Sequence, residues 1–135
     1  MPYTAEQIIK WCESEWDAWK GDCSGFAKAV CAHANVQLTG QANQIIDFLG
    51  TSPAWENLGA EPAKAIMRAN GGRLVIGGLK HRPNGHVVIV VQSASINYPV
   101  AYWGRLGASG RKNTSINWSW NSADRPLVQF FSSNP

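Results

Sequence analysis

The chain has 135 residues, a formal net charge of +3 and three cysteines. That length makes one domain, residues 1–135, able to bury roughly two-thirds of its unfolded surface without a metal or disulfide staple. The charges are scattered rather than gathered into a basic run, which argues against a nucleic-acid partner. Cys12, Cys23 and Cys31 form neither a Cys-x-x-Cys pair nor a zinc-finger spacing with histidines.

The N-terminus "MPYTAEQIIKWCESEW" has no basic stretch leading into an apolar one, and no run approaches membrane-spanning length. Synthesis in the cytoplasm without a signal peptide and without membrane insertion is the expectation, so an extracytoplasmic role needs a separate export route. The positive balance allows mild attraction to an anionic partner such as a cell wall.

In chain order, "TAEQ" at residues 4 to 7 has the capping-box pattern, and Ile8, Ile9, Cys12, Trp16 and Trp19 follow at helical spacing. Cys12 falls on that apolar stripe and reads as core. Asp22 is positioned to cap a second helix starting at Cys23 and burying Phe26, Ala27, Val30 and Cys31. A third helix is predicted near residues 41 to 50, carrying Ile45, Ile46, Phe48 and Leu49, and a fourth from Pro62 to just before "NGG" at 70 to 72. Past those glycines the pattern turns to strands: "RLVIGGL" and "HVVIVVQ" joined by the turn-rich "KHRPNG", then "VAYWG", "SINWSW" and "LVQFF". Helices followed by antiparallel strands predict an α+β domain with the helices on one face of a sheet.

Cys23 stands at the polar start of a helix, where a thiol feels the positive end of the helix dipole. Three histidines compete to be its base. His33 lies ten positions along the same helix, about 15 Å from the thiol at the usual rise, and cannot reach it. His81 sits in the polar turn and reads as a solvated loop residue. His86 opens the most apolar strand, after Gly85, which permits close approach of a neighbour. A strand-end imidazole bonded to a carbonyl or to water explains His86 as well as a catalytic role does.

Together, Cys23 and His86 meet the requirements of acyl transfer from an amide. An imidazolium beside the thiol lowers its pKa, so a thiolate is expected at neutral pH, and the Cys23 N–H is available to an oxyanion. Trp118 and Trp120, two apart on the predicted "SINWSW" strand, are expected to share a face and to pack in the core or at its rim.

Asp-Cys-Ser-Gly-Phe at a helix start, with Gly-His and an apolar strand further on, resembles the NlpC-type branch of papain-like cell-wall amidases. "DCSGFAKAV", "QANQIIDFL", "RLVIGGLKHRPNGHVVIVV" and "YPVAYWG" are similar in order and spacing to the first family of type VI secretion amidase effectors, over residues 5 to 131. The resemblance implies a papain-like fold and a toxin delivered into the periplasm of a target Gram-negative cell. Such a toxin cleaves peptidoglycan stem peptides between γ-D-glutamate and meso-diaminopimelate. It also implies a secretion apparatus and a cognate immunity protein as partners, a monomer, no cofactor, Cys23 as nucleophile and His86 as general base.

The position that orients the imidazole in many such enzymes falls here in "YPVAYWG", where Ala101, Tyr102 and Trp103 supply no His, Asn or Gln, so a backbone carbonyl is expected instead. Ile8 stands where some relatives have a disulfide cysteine. Tyr102 and Trp103 are expected beside a groove, Ser24 near the substrate, and Asn43 and Asp47 near the diaminopimelate end. Close packing explains Ser24, and a solvated helix face explains Asn43 and Asp47, equally well. Rival readings are a phage or housekeeping cell-wall hydrolase of another specificity, a Cys-His acyltransferase or deamidase acting on proteins, and a non-catalytic binding module.

Overall fold

The computed structural model describes residues 3–134 and shows an α+β architecture. Helix α1 (Ala5–Trp19) begins where the sequence predicts. The Thr4 hydroxyl accepts from the Gln7 N–H at 3.2 Å, and the Gln7 side chain accepts from the Thr4 N–H at 2.9 Å. Helix α2 (Cys23–His33) is capped by Asp22, whose carboxylate accepts from the Gly25 N–H at 3.0 Å. Such a cap is worth about 1 kcal/mol. Helices α3 (Ala42–Thr51) and α4 (Pro62–Asn70) follow, with Pro62 in the first turn of α4, where its missing N–H costs nothing.

Among the described residues, six antiparallel strands form one sheet in the order β1-β6-β2-β3-β4-β5. They are β1 (Trp55–Gly59), β2 (Val75–Leu79), β3 (His86–Val91), β4 (Val100–Trp103), β5 (Arg111–Ser115) and β6 (Gln129–Ser133). Strand β3 lies inside the sheet and is covered on both faces, which is why "VVIVV" is apolar without alternation. Val87, Ile89 and Val91 join the core beneath α1, α2 and α3, with Ile8, Phe26 and Ile45. Val88 and Val90 join a second core with Ala65 and Ala69 of α4, Trp103, Ile116, Trp120 and Phe130. The sheet is therefore covered on two faces, not one: α4 packs opposite the first three helices.

Two sequence expectations change. "SINWSW" is not a strand: Ile116–Trp118 is a short 3-10 helix, while the strand is the preceding "RKNTS". Trp118 and Trp120 consequently part company, Trp118 exposed beneath the Arg111 guanidinium and Trp120 buried. On α3, Ile45, Ile46 and Leu49 are buried while Phe48 is exposed.

Gly104, just past β4, sets the position of α2. A Cβ there would lie 2.6 Å from the Asp22 carbonyl oxygen, so glycine allows the sheet edge to approach the α1–α2 turn. Backbone bonds from Arg105 and Gly110 to the Lys20 carbonyl, at 2.9 and 2.8 Å, fasten the same junction. The Trp16 indole N–H donates to the Trp103 carbonyl at 3.1 Å. Through these contacts the first residue of α2 is held against the start of β3.

Candidate active site

Cys23 is the first residue of α2 and 8% exposed. Its N–H belongs to the first turn of the helix, where donors have no acceptor within the helix itself. The thiol opens on a cavity of about 50 Å³, lined by Asp22, Ser24, Asn43, Asn84, Gly85 and Leu106 among others. That is room for about three waters. Burial raises the Cys23 pKa above the usual thiol value and the Asp22 carboxylate adds to the rise, while the backbone amides of Val87 and Ser24 and the Arg105 guanidinium oppose it. The Asp22 side chain that starts the helix thus also opposes the thiolate. The backbone donors and the neighbouring cation do not outweigh desolvation here, so the resting thiol is neutral at neutral pH.

His86 opens β3 and faces the other side of the sheet, sharing that side with Val88 and Val90. Its ring lies against Trp120, centroids 5.2 Å apart and 68° between planes, and edge-on to Trp103 at 6.5 Å. The Nε2 atom is 2.6 Å from the Ser119 hydroxyl. One Arg105 nitrogen, Nη2, donates to the Ser119 carbonyl at 2.6 Å and lies 3.4 Å from its hydroxyl. Burial, then the Arg105 charge, push the His86 pKa down to about 3. The imidazole is therefore neutral as well, and the expected thiolate–imidazolium pair is replaced by two uncharged partners.

His86 lines a second cavity of about 240 Å³, with His81, Arg105, Ser119, Trp120 and Asp124. The two cavities share Asn84 and Gly85, so thiol and imidazole open on either side of one rim of backbone. The nearness of the Val87 amide to the sulfur places Cys23 beside the residue that follows His86. No hydrogen bond joins thiol and ring in this resting arrangement among the described residues. Catalytic hydrogen bonds of this kind commonly tighten only when substrate is bound.

The other expected site residues divide. Ser24 lines the Cys23 cavity, but its hydroxyl donates to the capping carboxylate of Asp22 at 3.0 Å. Asn43 also lines that cavity while clamping the β2–β3 loop: its amide donates to the His81 carbonyl at 2.8 Å and accepts from the His81 N–H at 3.1 Å. A Cβ at Gly85 would lie 2.9 Å from the Leu79 carbonyl and collide with Asn43, which accounts for glycine before His86. Asp47 lines neither cavity and pairs with Lys80 at 2.6 Å. Tyr102 and Trp103 do not line a groove. Both are about 1% exposed, because β4 lies between β3 and β5 and its alternate side chains enter the two cores.

Cys12 and Cys31 are inert core thiols, Cys31 pushed up to about 12 by burial and Cys12 raised well above its ordinary value. His33 stacks on Trp11 and pairs with Glu15, away from the thiol. Among the described residues no cluster of three or more His, Cys, Asp or Glu side chains could hold a metal ion, and no helix is long and apolar enough to cross a membrane. Ser119 and Arg105 are absent from the sequence reading. They come from chain outside regular elements, where periodicity carries no signal of who faces whom.

No family model matches the chain. Over an alignment of 137 positions, covering 92% of this chain and 87% of the relative, it is 34% identical to the peptidoglycan amidase Tse1 of Pseudomonas aeruginosa. With identity of that extent over nearly the whole chain, the chain belongs to the Tse1 family of peptidoglycan amidases.

Proposed function

We propose that this protein is a peptidoglycan amidase whose single domain hydrolyses the γ-D-glutamyl–meso-diaminopimelate bond of stem peptides. Cys23 is the nucleophile and His86 the general base. The observation that carries the reading is the placement of a helix-start thiol and a strand-start imidazole at one rim of the sheet, in a chain of an amidase family.

With both groups neutral at rest, the base acts during the attack rather than before it. His86 takes the Cys23 proton as the sulfur adds to the amide carbonyl, and the Cys23 N–H donates to the developing oxyanion. The imidazolium then returns the proton to the departing diaminopimelate amine, leaving a thioester on Cys23. Water, deprotonated by His86, hydrolyses the thioester and restores the thiol. The low basicity of the buried imidazole favours rapid return of the proton it has accepted.

The biological setting follows from the family resemblance. The protein acts as a type VI effector in the periplasm of a target Gram-negative cell, as a monomer, with a secretion apparatus for delivery and an immunity protein in the producer. Mass spectrometry of Gram-negative peptidoglycan fragments, after incubation with the wild type and with Cys23→Ala, tests the enzymatic core of this reading. New termini at the D-glutamate to diaminopimelate bond are expected with the wild type alone. Termini at another bond would replace the specificity, and unchanged fragments with both proteins would overturn the amidase assignment.

A further inference from the structure

We propose that Ser119, held in place by Arg105, is the positioning residue for His86: its hydroxyl receives the Nε2–H and leaves Nδ1 free to accept the Cys23 proton. This rests on the reading of Cys23 and His86 as nucleophile and base. Strand β4, beside the histidine, offers only Ala101 and Trp103 on that face, and neither side chain accepts a hydrogen bond. The polar partner comes instead from the turn after β5.

Ser119 is 7% exposed and follows the 3-10 helix Ile116–Trp118, with its N–H donating to the Ile116 carbonyl at 2.9 Å. Trp120, the next residue, is fixed on the same carbonyl at 3.2 Å and packs on the imidazole. One short turn therefore supplies both a hydrogen-bond partner and a wall for the ring. Arg105 anchors that turn through the Ser119 carbonyl, at 2.6 Å.

Donor and acceptor capacity at the Ser119 hydroxyl allows this tautomer. Arg105 only donates, and where it reaches the Ser119 hydroxyl it occupies one lone pair. The hydroxyl keeps its own proton and a second lone pair, and in the proposed arrangement that lone pair receives the Nε2 proton. A hydroxyl in this position orients the ring without stabilising the imidazolium as a carboxylate would, and the adjacent guanidinium disfavours the charged ring further. The remaining titratable groups around the ring are His81 and Asp124, which line its cavity, and Cys23 across the rim, and none of these is hydrogen-bonded to it.

The test is steady-state kinetics on a soluble muropeptide across pH, with the wild type, Ser119→Ala, Ser119→Thr, Arg105→Gln and Cys23→Ala, together with ¹⁵N NMR of the His86 ring. Ser119→Ala is expected to lose about 10- to 100-fold in kcat, a part of what general-base catalysis supplies, with KM little changed. Ser119→Thr should restore most of that loss. Arg105→Gln should move the acid limb of the pH profile upward, because a cation that opposed protonation is gone. The wild-type ring should carry its proton on Nε2. A wild-type ring protonated on Nδ1, or a Ser119→Ala enzyme with unchanged kcat at every pH, overturns the proposal, and the ring measurement decides even where a variant fails to fold. An active Cys23→Ala protein would instead remove the underlying assignment of nucleophile and base.

Discussion

Val87, Ile89 and Val91 meet three helices whose apolar faces are complete and regular, whereas Val88 and Val90 meet one short helix and an irregular stretch around Ile116, Trp120 and Val128. The thiol sits at the edge of the regular side and the imidazole at the edge of the irregular one. The contrast shows a division of labour. A helix N-terminus fixes one atom through backbone geometry, while the ring requires contacts on several sides, which a turn carrying Ser119 and Trp120 supplies. Both groups are also desolvated, so each side contributes an uncharged partner.

The sharpest way to break this comparison is to remove each partner in turn. Cys23→Ala is expected to lower the rate of stem-peptide cleavage by on the order of 10⁴-fold or more. His86→Gln should cost about 10²- to 10⁴-fold, the usual contribution of a general base. Chromatographic release of the free diaminopimelate amine measures both. If the two losses are equal, the groups act as a unit and the two sides cannot be scored separately.

A second test reads the irregular side through stability. His86 titrates near 6.5 in the unfolded chain and near 3 when folded. Above pH 6.5 both states are neutral and burial of the ring has no pH-dependent cost. Between 6.5 and 3 the unfolded chain holds one more proton, so stability falls as pH falls, by about 1.4 kcal/mol per pH unit. The lowered carboxyls of Glu6, Glu13 and Glu56 add losses of the same sign only below about 4.5, the range where unfolded carboxylates titrate. Urea midpoints of wild type and His86→Gln from pH 6.5 down to 4.5 should therefore diverge, with the flatter curve in the variant. Parallel curves would place the ring in contact with solvent.

How much of this was readable from residues alone follows the same contrast. The capping box at Thr4, the Asp22 cap, Pro62 in the first turn of α4 and the two-sided apolar run of β3 each carry a local signal, and each element formed where expected. Strands β1 and β5 had no such signal. They are edge strands, and "RKNTS" in particular exposes most of its length. In "SINWSW" the period-two spacing of Ile116, Trp118 and Trp120 mimics a strand, yet a 3-10 turn places Trp118 in solvent and Trp120 in the core. Cys23 and His86 were singled out as candidates because each stands at an element start, where a polar residue meets an apolar run, and both do begin their elements in the fold. Ser119 and Arg105 were not, since long-range chain path, not local pattern, brings them to the ring. Burial, equally invisible to local pattern, works against charge on both Cys23 and His86, where the sequence led to the expectation of a charged pair.

A smaller perturbation probes the junction between the sides. Gly104→Ala would set a Cβ 2.6 Å from the Asp22 carbonyl oxygen and 2.8 Å from its carbon, backbone atoms with no rotamer to escape into. Overpacking of this kind costs about 1 to 3 kcal/mol. Thermal melts should show that loss together with slower cleavage, because the α1–α2 turn carries Cys23. A loss of stability with cleavage unchanged would mean that the thiol does not depend on this junction.

The finest test stays at one residue. Asp22 caps α2 through the Gly25 N–H and also raises the Cys23 pKa. Asparagine caps a helix about as well as aspartate and carries no charge, so Asp22→Asn separates the two effects. Stability should change little. Alkylation of Cys23 by iodoacetamide at neutral pH should be faster by a few-fold, since removing a nearby carboxylate favours the thiolate. An unchanged rate with an unchanged melt would mean that access through the small cavity, rather than charge, limits the thiol. The regular side would then owe its slow resting chemistry to packing alone, and the opposing charge at the helix start would have no part in keeping Cys23 protonated until substrate arrives.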